Sequence, residues 1–330
     1  MSERTPRIPA SLPGPDEEAR EAVRARTARV LRPAGALARL DACAAWLAGW
    51  QRTPRPSVEA PACLVAAADH GVAAAGVSAY PPAVTGAMLR ALREGAATAS
   101  VLADSLDVHL EVIDVGVGRP TGDIRVEDAL SPERFAASWE AGREAVGRLA
   151  CDLLVLGEMG IGNTTAAAAV CAALLGGPPE DWVGRGTGLD GAGMGRKVRA
   201  VEQARARVGD QAPPLEVLRR VGGAELAAIA GAAVEARVRS IPVVLDGFVV
   251  TAAVAPLESA SPGALAHCVA GHVSLEPGHR VLLDKLGLVP LLDLDLRLGE
   301  GSGGLLAVPL LGAAAAAATE VPTFEEWGLA

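Results

Sequence analysis

Two carboxylates and one glycine-rich turn make the first case for chemistry. Residues 151–175 read CDLLVLGEMGIGNTTAAAAVCAALL. The apolar run Leu153 to Leu156 is short enough for a buried parallel strand, and it leads to Glu158 in a turn carrying Gly157, Gly160 and Gly162. Asn163, Thr164 and Thr165 then open an alanine-rich helix, with a threonine hydroxyl expected to cap it. A strand, a bare turn and a helix start together present backbone N–H groups and a positive dipole end to an anion. The GxGxxG spacing of dinucleotide folds is absent, and no Gly-Lys-Ser/Thr follows as in a P-loop. A monophosphate is the ligand this turn suits.

A second glycine run, Gly184-Arg185-Gly186-Thr187-Gly188-Leu189-Asp190, follows shortly, with Lys197 beyond it. Lysine occurs only twice in the chain, at 197 and 285, so Lys197 stands out as a point charge for the same phosphate. Glu300 is the other notable carboxylate. It sits between Gly299 and Gly301, flanked by Leu298 and Leu305, where apolar surroundings would raise its pKa towards a range useful to a general base. His272, Glu276 and His279 are residue types that bind metals. Pro277-Gly278 interrupts the helix that would bring both imidazoles to one face, so no metal is expected. Asp69-His70 reads equally as an acid/base pair or as a turn and cap.

These residues need a scaffold, and the apolar pattern supplies one. Helical spacing covers Asp16 to Leu31 and Ala36 to Gln51, and a proline-rich linker follows at 52–56. From Pro61, short apolar strands alternate with helices: Cys63 to Ala68, helix Thr85 to Leu106, strand Val108 to Val115, and helix Ser138 to Leu149 before the central strand. Helices Val198 to Val208 and Ala224 to Arg237 follow, then strand Pro242 to Leu245, a helix from Val249, and a strand-like run Cys268 to Val273. Such alternation predicts an α/β fold with a doubly wound parallel sheet, whose strand ends carry Asp69, Asp114, Glu158, Asp246 and Ser274.

Composition narrows the class. The chain has 330 residues and a formal net charge of −9, with no basic cluster interleaved with aromatics, so nucleic acid is not an expected partner. Five scattered cysteines without zinc or disulfide spacing read as reduced thiols of a cytoplasmic protein. The polar, proline-rich N-terminus is no signal peptide, and Leu305 to Ala318 is too short for a membrane span.

Taken together, RPAGALARLD (32–41), AADHGVAAAGVSAYPPAVT (67–85), GEMGIGNTTAAAA (157–169), GRGTGLD (184–190), LDGFVVTAAV (245–254), GHVSLEPGH (271–279) and LRLGEGSGG (296–304) resemble the nicotinate-nucleotide–dimethylbenzimidazole phosphoribosyltransferases, which activate the lower-ligand base of cobalamin. The resemblance implies a Rossmann-like sheet with a small helical domain built from both chain ends: 1–56 and 299–330 around a large domain at 57–298. It implies Glu300 as catalytic base, Glu158 as a second required carboxylate, and Gly160, Gly186, Lys197 and Ser274 as phosphate ligands; Gly162, Asn163, Thr164 and Thr165 join them from the reading of the first turn as an anion site. It also implies a homodimer working on small molecules without metal or cofactor. Tyr80 and Met88 stand where the family's benzimidazole pocket carries a small hydroxyl residue and a glutamine. With Met159 and Leu298 they are expected to form an apolar slot for the base. A relative that ribosylates adenine or a phenolic base stays open, as does a non-catalytic nucleotide-binding protein.

Overall fold

A computed structural model of the chain describes residues 6–186 and 188–329. Helix α1 (Glu17–Thr27) starts at Asp16, whose carboxylate accepts the Ala19 amide at 3.0 Å, and α2 (Ala38–Gln51) packs beside it. The alternating part begins with β1 (Pro61–Ala68), α3 (Val84–Arg93), α4 (Thr98–Ser105) and β2 (His109–Gly116). It continues through α5 (Pro132–Arg148), β3 (Leu153–Met159), α6 (Asn163–Leu175), the single turn α7 (Pro179–Trp182), α8 (Gly191–Val208), α9 (Pro214–Val221) and α10 (Ala224–Val238). Then come β4 (Val243–Leu245), α11 (Phe248–Ala260), β5 (Cys268–Ala270), β6 (His272–Val273), α12 (Pro277–Leu286), β7 (Leu292–Asp293) and α13 (Ser302–Thr319).

The main sheet has five parallel strands in the order β2-β1-β3-β4-β5. From β1 the chain winds one way to β2, and from β3 it winds the other way, so β1 and β3 flank the point where the winding reverses. A crevice forms at the C-terminal strand ends of such a point. There the turns after Ala68 and after Met159 face each other, with Ala66 opposite Glu158 in the register.

Along β1, alternate side chains enter different cores. Ala62, Leu64 and Ala66 join the large cluster with α5, α6 and α10, while Cys63 and Val65 join a second one with Leu305, Val308 and Leu311 of α13. Helix α13 has the length and apolar composition to cross a membrane, contrary to the expectation from its sequence. It is 56% buried, and packs on α2, α4 and β3 as a core helix. Its far end reaches α1 and α2 through Ala318, and Arg26 binds the carbonyls of Ala318, Thr319 and Val321.

Several boundaries differ from the sequence reading, each for a local reason. The expected helix Thr85 to Leu106 is two helices, because Gly95 takes a left-handed φ of +78° and ends α3. Helix α5 begins earlier than Ser138, at Pro132, where the Ser131 side chain caps it. Helix α8 likewise starts at Gly191, capped by Asp190, which accepts the Gly193 amide at 2.7 Å. Helices α9 and α12, each opened by a proline, are additions to the sequence reading. The run Cys268 to Val273 splits at Gly271, whose amide turns back to Leu245 O at 2.8 Å, leaving β6 to pair with β7 in a separate ribbon.

Candidate active site

The first wall of the crevice is the turn from β3 into α6. The cap of α6 is Gly162, at φ +97°, rather than a threonine hydroxyl. A left-handed residue is needed there to swing the chain from extended to helical within one step, and glycine adopts it without strain. Thr164 and Thr165 therefore fall inside the first turn. Thr164 lines the cavity, whereas Thr165 is fully buried and does not. The turn is tied down on every side. Ile161 donates its amide to Thr85 Oγ1 at 3.1 Å, Asn163 to Gly160 O at 3.2 Å, and Thr165 to Gly162 O at 3.0 Å. Below it lies a fully buried pair, His70 Nε2 and Glu225 Oε1, 2.5 Å apart. A side chain at Gly160 would meet Ala68 O at 2.7 Å and Glu225 at 3.2 Å.

Gly186 and Ser274 extend this wall. The Gly186 amide donates to Glu276 Oε1 at 2.8 Å, so Glu276 fastens the second glycine run. Thr187 of that run lies outside the described residues. Lys197 is fully buried, one layer behind the wall rather than in it. Its ammonium donates to Thr164 Oγ1 at 2.9 Å and to Gly184 O at 3.0 Å. Burial lowers its pKa, with the Glu276 carboxylate opposing the change. The long stem of a lysine leading from a partly apolar helix face explains this inward course, and its charge still acts across a short, poorly screened distance.

The carboxylates adjoin this turn. Glu158 lines the cavity and is only 8% exposed. Asn163 Nδ2 donates to its Oε2 in a very short contact. Burial, then the nearby charges of Asp246 and Glu225, push the Glu158 pKa well above the usual carboxylate range, with Asn163 opposing. Glu300 lies immediately behind. Its amide donates to Glu158 O at 3.1 Å, its carboxyl is buried, and Oε2 has no partner among the described residues. Burial raises its pKa too. The Ala99 amide at the start of α4 opposes that, and Asp246 adds to it.

Residues 299–301 run through three consecutive left-handed conformations, φ +85°, +62° and +82°. For Glu300 this costs on the order of 1 kcal/mol and persists because the surroundings enforce it. The enforcing group is Asp246, fully buried, which accepts the amides of Gly301 (3.1 Å), Gly303 (2.8 Å) and Gly304 (2.9 Å) at the head of α13. The strand below must also be bare, since a Cβ on Gly157 would lie 2.6 Å from Gly301 N. Asp246 went unassigned in the sequence beyond its place at a strand end. Glu225 gave no signal at all, because its partner His70 is 155 residues away.

The base slot needs correction. Met159 and Leu298 line the cavity, but Tyr80 and Met88 do not; Val77 and Ser78 take that side. Tyr80 is 53% exposed, carried outward ahead of Pro81-Pro82, and Met88 is half-buried against the cluster containing Leu92. Among the described residues no group of three or more His, Cys, Asp and Glu is placed to hold a metal. Both His279 ring nitrogens are already engaged, by Ser274 and Thr251.

Comparison with known proteins decides the family. Residues 12–329 match the family described as Phosphoribosyltransferase. The nicotinate-nucleotide–dimethylbenzimidazole phosphoribosyltransferases of Methylocella silvestris and Brucella anthropi are 49% and 47% identical, over 96% and 97% of this chain and 92% and 94% of theirs. This chain belongs to that phosphoribosyltransferase family. Two solved structures from Thermus thermophilus agree in fold. One is titled CobT, with TM-score 0.91, 45% identity, and coverage of 95% of this chain and 99% of that one. The other carries the phosphoribosyltransferase name, with TM-score 0.90, 44% identity, and coverage of 96% and 99%. The expected Rossmann-like α/β fold and the resemblance drawn from the motifs both hold. Within this phosphoribosyltransferase the glycine turn and Glu158 line one crevice, and Glu300, which is not part of its lining, lies directly behind Glu158.

Proposed function

We propose that the protein transfers the 5-phosphoribosyl group of nicotinate mononucleotide to 5,6-dimethylbenzimidazole, releasing nicotinate and giving α-ribazole 5′-phosphate for the nucleotide loop of cobalamin. The observation that carries this reading is the crevice itself, where an anion-binding helix start adjoins the buried Glu158, with Glu300 directly behind it in different surroundings. The 5′-phosphate sits at the head of α6, against Gly160, Gly162, Asn163, Thr164, Gly186 and Ser274, with the charge of Lys197 behind. Nicotinate leaves from a cationic pyridinium, so its departure needs neither protonation nor a metal. One azole nitrogen forms the bond to the anomeric carbon as the C–N bond to nicotinate breaks. Attack from the far face inverts β to α through an oxocarbenium-like state.

The proton on the other azole nitrogen goes to a carboxylate. Burial and the fields of Asp246 and Glu225 raise the Glu158 pKa well above the usual carboxylate range, which favours its protonated form. Glu300 has an amide that favours its ionised form and an unpartnered oxygen, so we assign it as the base. Met159 and Leu298 flank the flat base. We further propose a soluble cytoplasmic homodimer, with a small helical domain at 1–56 and 299–330 around the large domain at 57–298; the packing of α13 on α1 and α2 supports that division. Incubation with nicotinate mononucleotide and 5,6-dimethylbenzimidazole, with and without EDTA, tests the reading by chromatography. Equal formation of α-ribazole phosphate and nicotinate in both samples supports it, and absence of both products overturns it.

A further inference from the structure

The motif GHVSLEPGH holds two histidines that the reaction does not use. One of them, His279, is fully buried in the first turn of α12, directly behind the cavity wall. Its hydrogen bonds fix where its protons are. The Ser274 backbone amide points at His279 Nδ1 from 2.9 Å. A peptide N–H can only donate, so Nδ1 must be a bare lone pair. On the other side, Nε2 lies 3.1 Å from Thr251 Oγ1. The single hydroxyl hydrogen of Thr251 goes to Gly247 O at 2.9 Å, so towards His279 the hydroxyl offers a lone pair and Nε2 must carry the hydrogen. The two ends demand the same tautomer, neutral with Nε2–H. The opposite tautomer would set two hydrogens face to face at Ser274 and leave none between Nε2 and Thr251. Burial, then His272 and Arg280, hold the imidazole pKa down to about 3, so the ring stays uncharged at working pH.

Ser274 Oγ is 3.0 Å from the same Nδ1. Without a ligand, the hydroxyl hydrogen shares a lone pair that the amide already occupies. It is therefore loosely held and free to turn into the cavity, which Ser274 and Gly247 both line.

We infer that His279 is a positioning residue, which fixes the Ser274 backbone through Nδ1 and keeps the Ser274 hydroxyl ready to donate to the phosphate of the nucleotide. This rests on the phosphate lying against the wall proposed above. The chain from Gly247 O through Thr251 and His279 to Ser274 ties the start of α11 to the link between β6 and α12. The wall is thus set at two points by one ring.

Two measurements test it. In the unliganded protein, ¹⁵N NMR of labelled histidines reads the tautomer without any turnover. A buried ring with bare Nδ1 and protonated Nε2, unchanged between pH 5 and 9 and missing in H279Q or H279N spectra, is expected; protonated Nδ1 overturns the inference. Kinetics then read the function. Glutamine places its polar atoms near the Nε2 position and asparagine near Nδ1. H279Q should raise the KM for nicotinate mononucleotide about tenfold with kcat within about twofold, and S274A should do the same, on the scale of a charge-assisted hydrogen bond. The double variant should add nothing, H279N should restore most of the loss, and kcat/KM for nicotinate riboside, which lacks the phosphate, should hardly move. Independent effects that multiply, or equal losses for nucleotide and nucleoside, overturn the inference. A wild-type protein with no turnover would instead reject the proposed activity, and the NMR result would stand apart from it.

Discussion

The glycine turn and the carboxylate cluster beside it solve the problem of holding charge in opposite ways. The glycine turn uses neutral backbone at the head of α6, with the Lys197 ammonium withdrawn behind it and the Gly186 amide held by Glu276. The carboxylate cluster packs Glu158, Glu300 and Asp246 into a poorly solvated space, and strains the backbone at residues 299–301 to do so. Charge is cheap to arrange on the turn because amides are dipoles already fixed by the helix. In the cluster, each added carboxylate raises the cost of ionising the next. The turn is suited to grip a phosphate throughout the reaction. The cluster is suited to take up a proton.

If that division is right, substitutions should split cleanly between turnover and binding. The largest effect is expected at the base. Glu300→Gln should lower kcat by about 10²–10⁴ with the nucleotide KM nearly unchanged, since positioned general-base catalysis has that scale. The acid limb of the kcat–pH profile, lying above the ordinary carboxylate range in the wild type because burial raises the Glu300 pKa, should flatten with it. Wild-type turnover in this variant would move the proton to another group and dissolve the comparison.

Lys197→Met tests the glycine turn. Methionine nearly fills the buried volume without the charge, so the nucleotide KM should rise about tenfold while kcat changes little. In the wild type that KM should also climb at alkaline pH, below the ordinary lysine range, as the depressed lysine loses its proton. The climb should be missing in the variant. A kcat defect larger than the KM defect would show that Lys197 acts on the reacting atoms.

Glu158→Gln separates stability from function. Between the ordinary carboxylate range and the raised value of Glu158, the folded protein holds more protons than the unfolded chain, so stability falls as pH rises through that window. A neutral glutamine removes the dependence. The variant should melt higher than wild type at pH 8, by about 1 kcal/mol in unfolding free energy, with little difference at pH 5. Calorimetry showing the reverse trend would mean that Glu158 is ionised and satisfied in the fold.

The smallest effects should come from the base slot. Leu298→Ala should raise the KM for 5,6-dimethylbenzimidazole severalfold, on the scale of a few lost methylene contacts, without touching the nucleotide KM. Met88→Gln should leave the ranking of bases unchanged, because Met88 lies outside the cavity wall. A reordered ranking would put Met88 back against the base.

Much of this was legible before any coordinates. Strand, glycine turn and helix start lie within two dozen residues, and their geometry follows from local backbone preference, so the anion wall could be read from Gly157 to Thr165 directly. The parallel sheet followed from the apolar periodicity in the same way. Errors there were small and local, as where Gly95 ends a helix or Gly162 takes the cap from a threonine.

What tertiary structure alone decided was which distant groups share a low-dielectric space. Asp246 meets residues 301–304, and His70 meets Glu225 across 155 positions. Lys197 turns inward, Tyr80 turns outward, and His279 closes on Ser274 and Thr251 instead of on a metal. None of these has a periodicity or a spacing to betray it. A side chain's surroundings, and so its protonation and its use, depend on contacts between segments whose separation along the chain carries no information about their separation in space. The sequence determined the types of group and the local frames that present them; the packing of α13 and β4 against β3 determined which carboxylates share one buried space and how far their pKa values are raised.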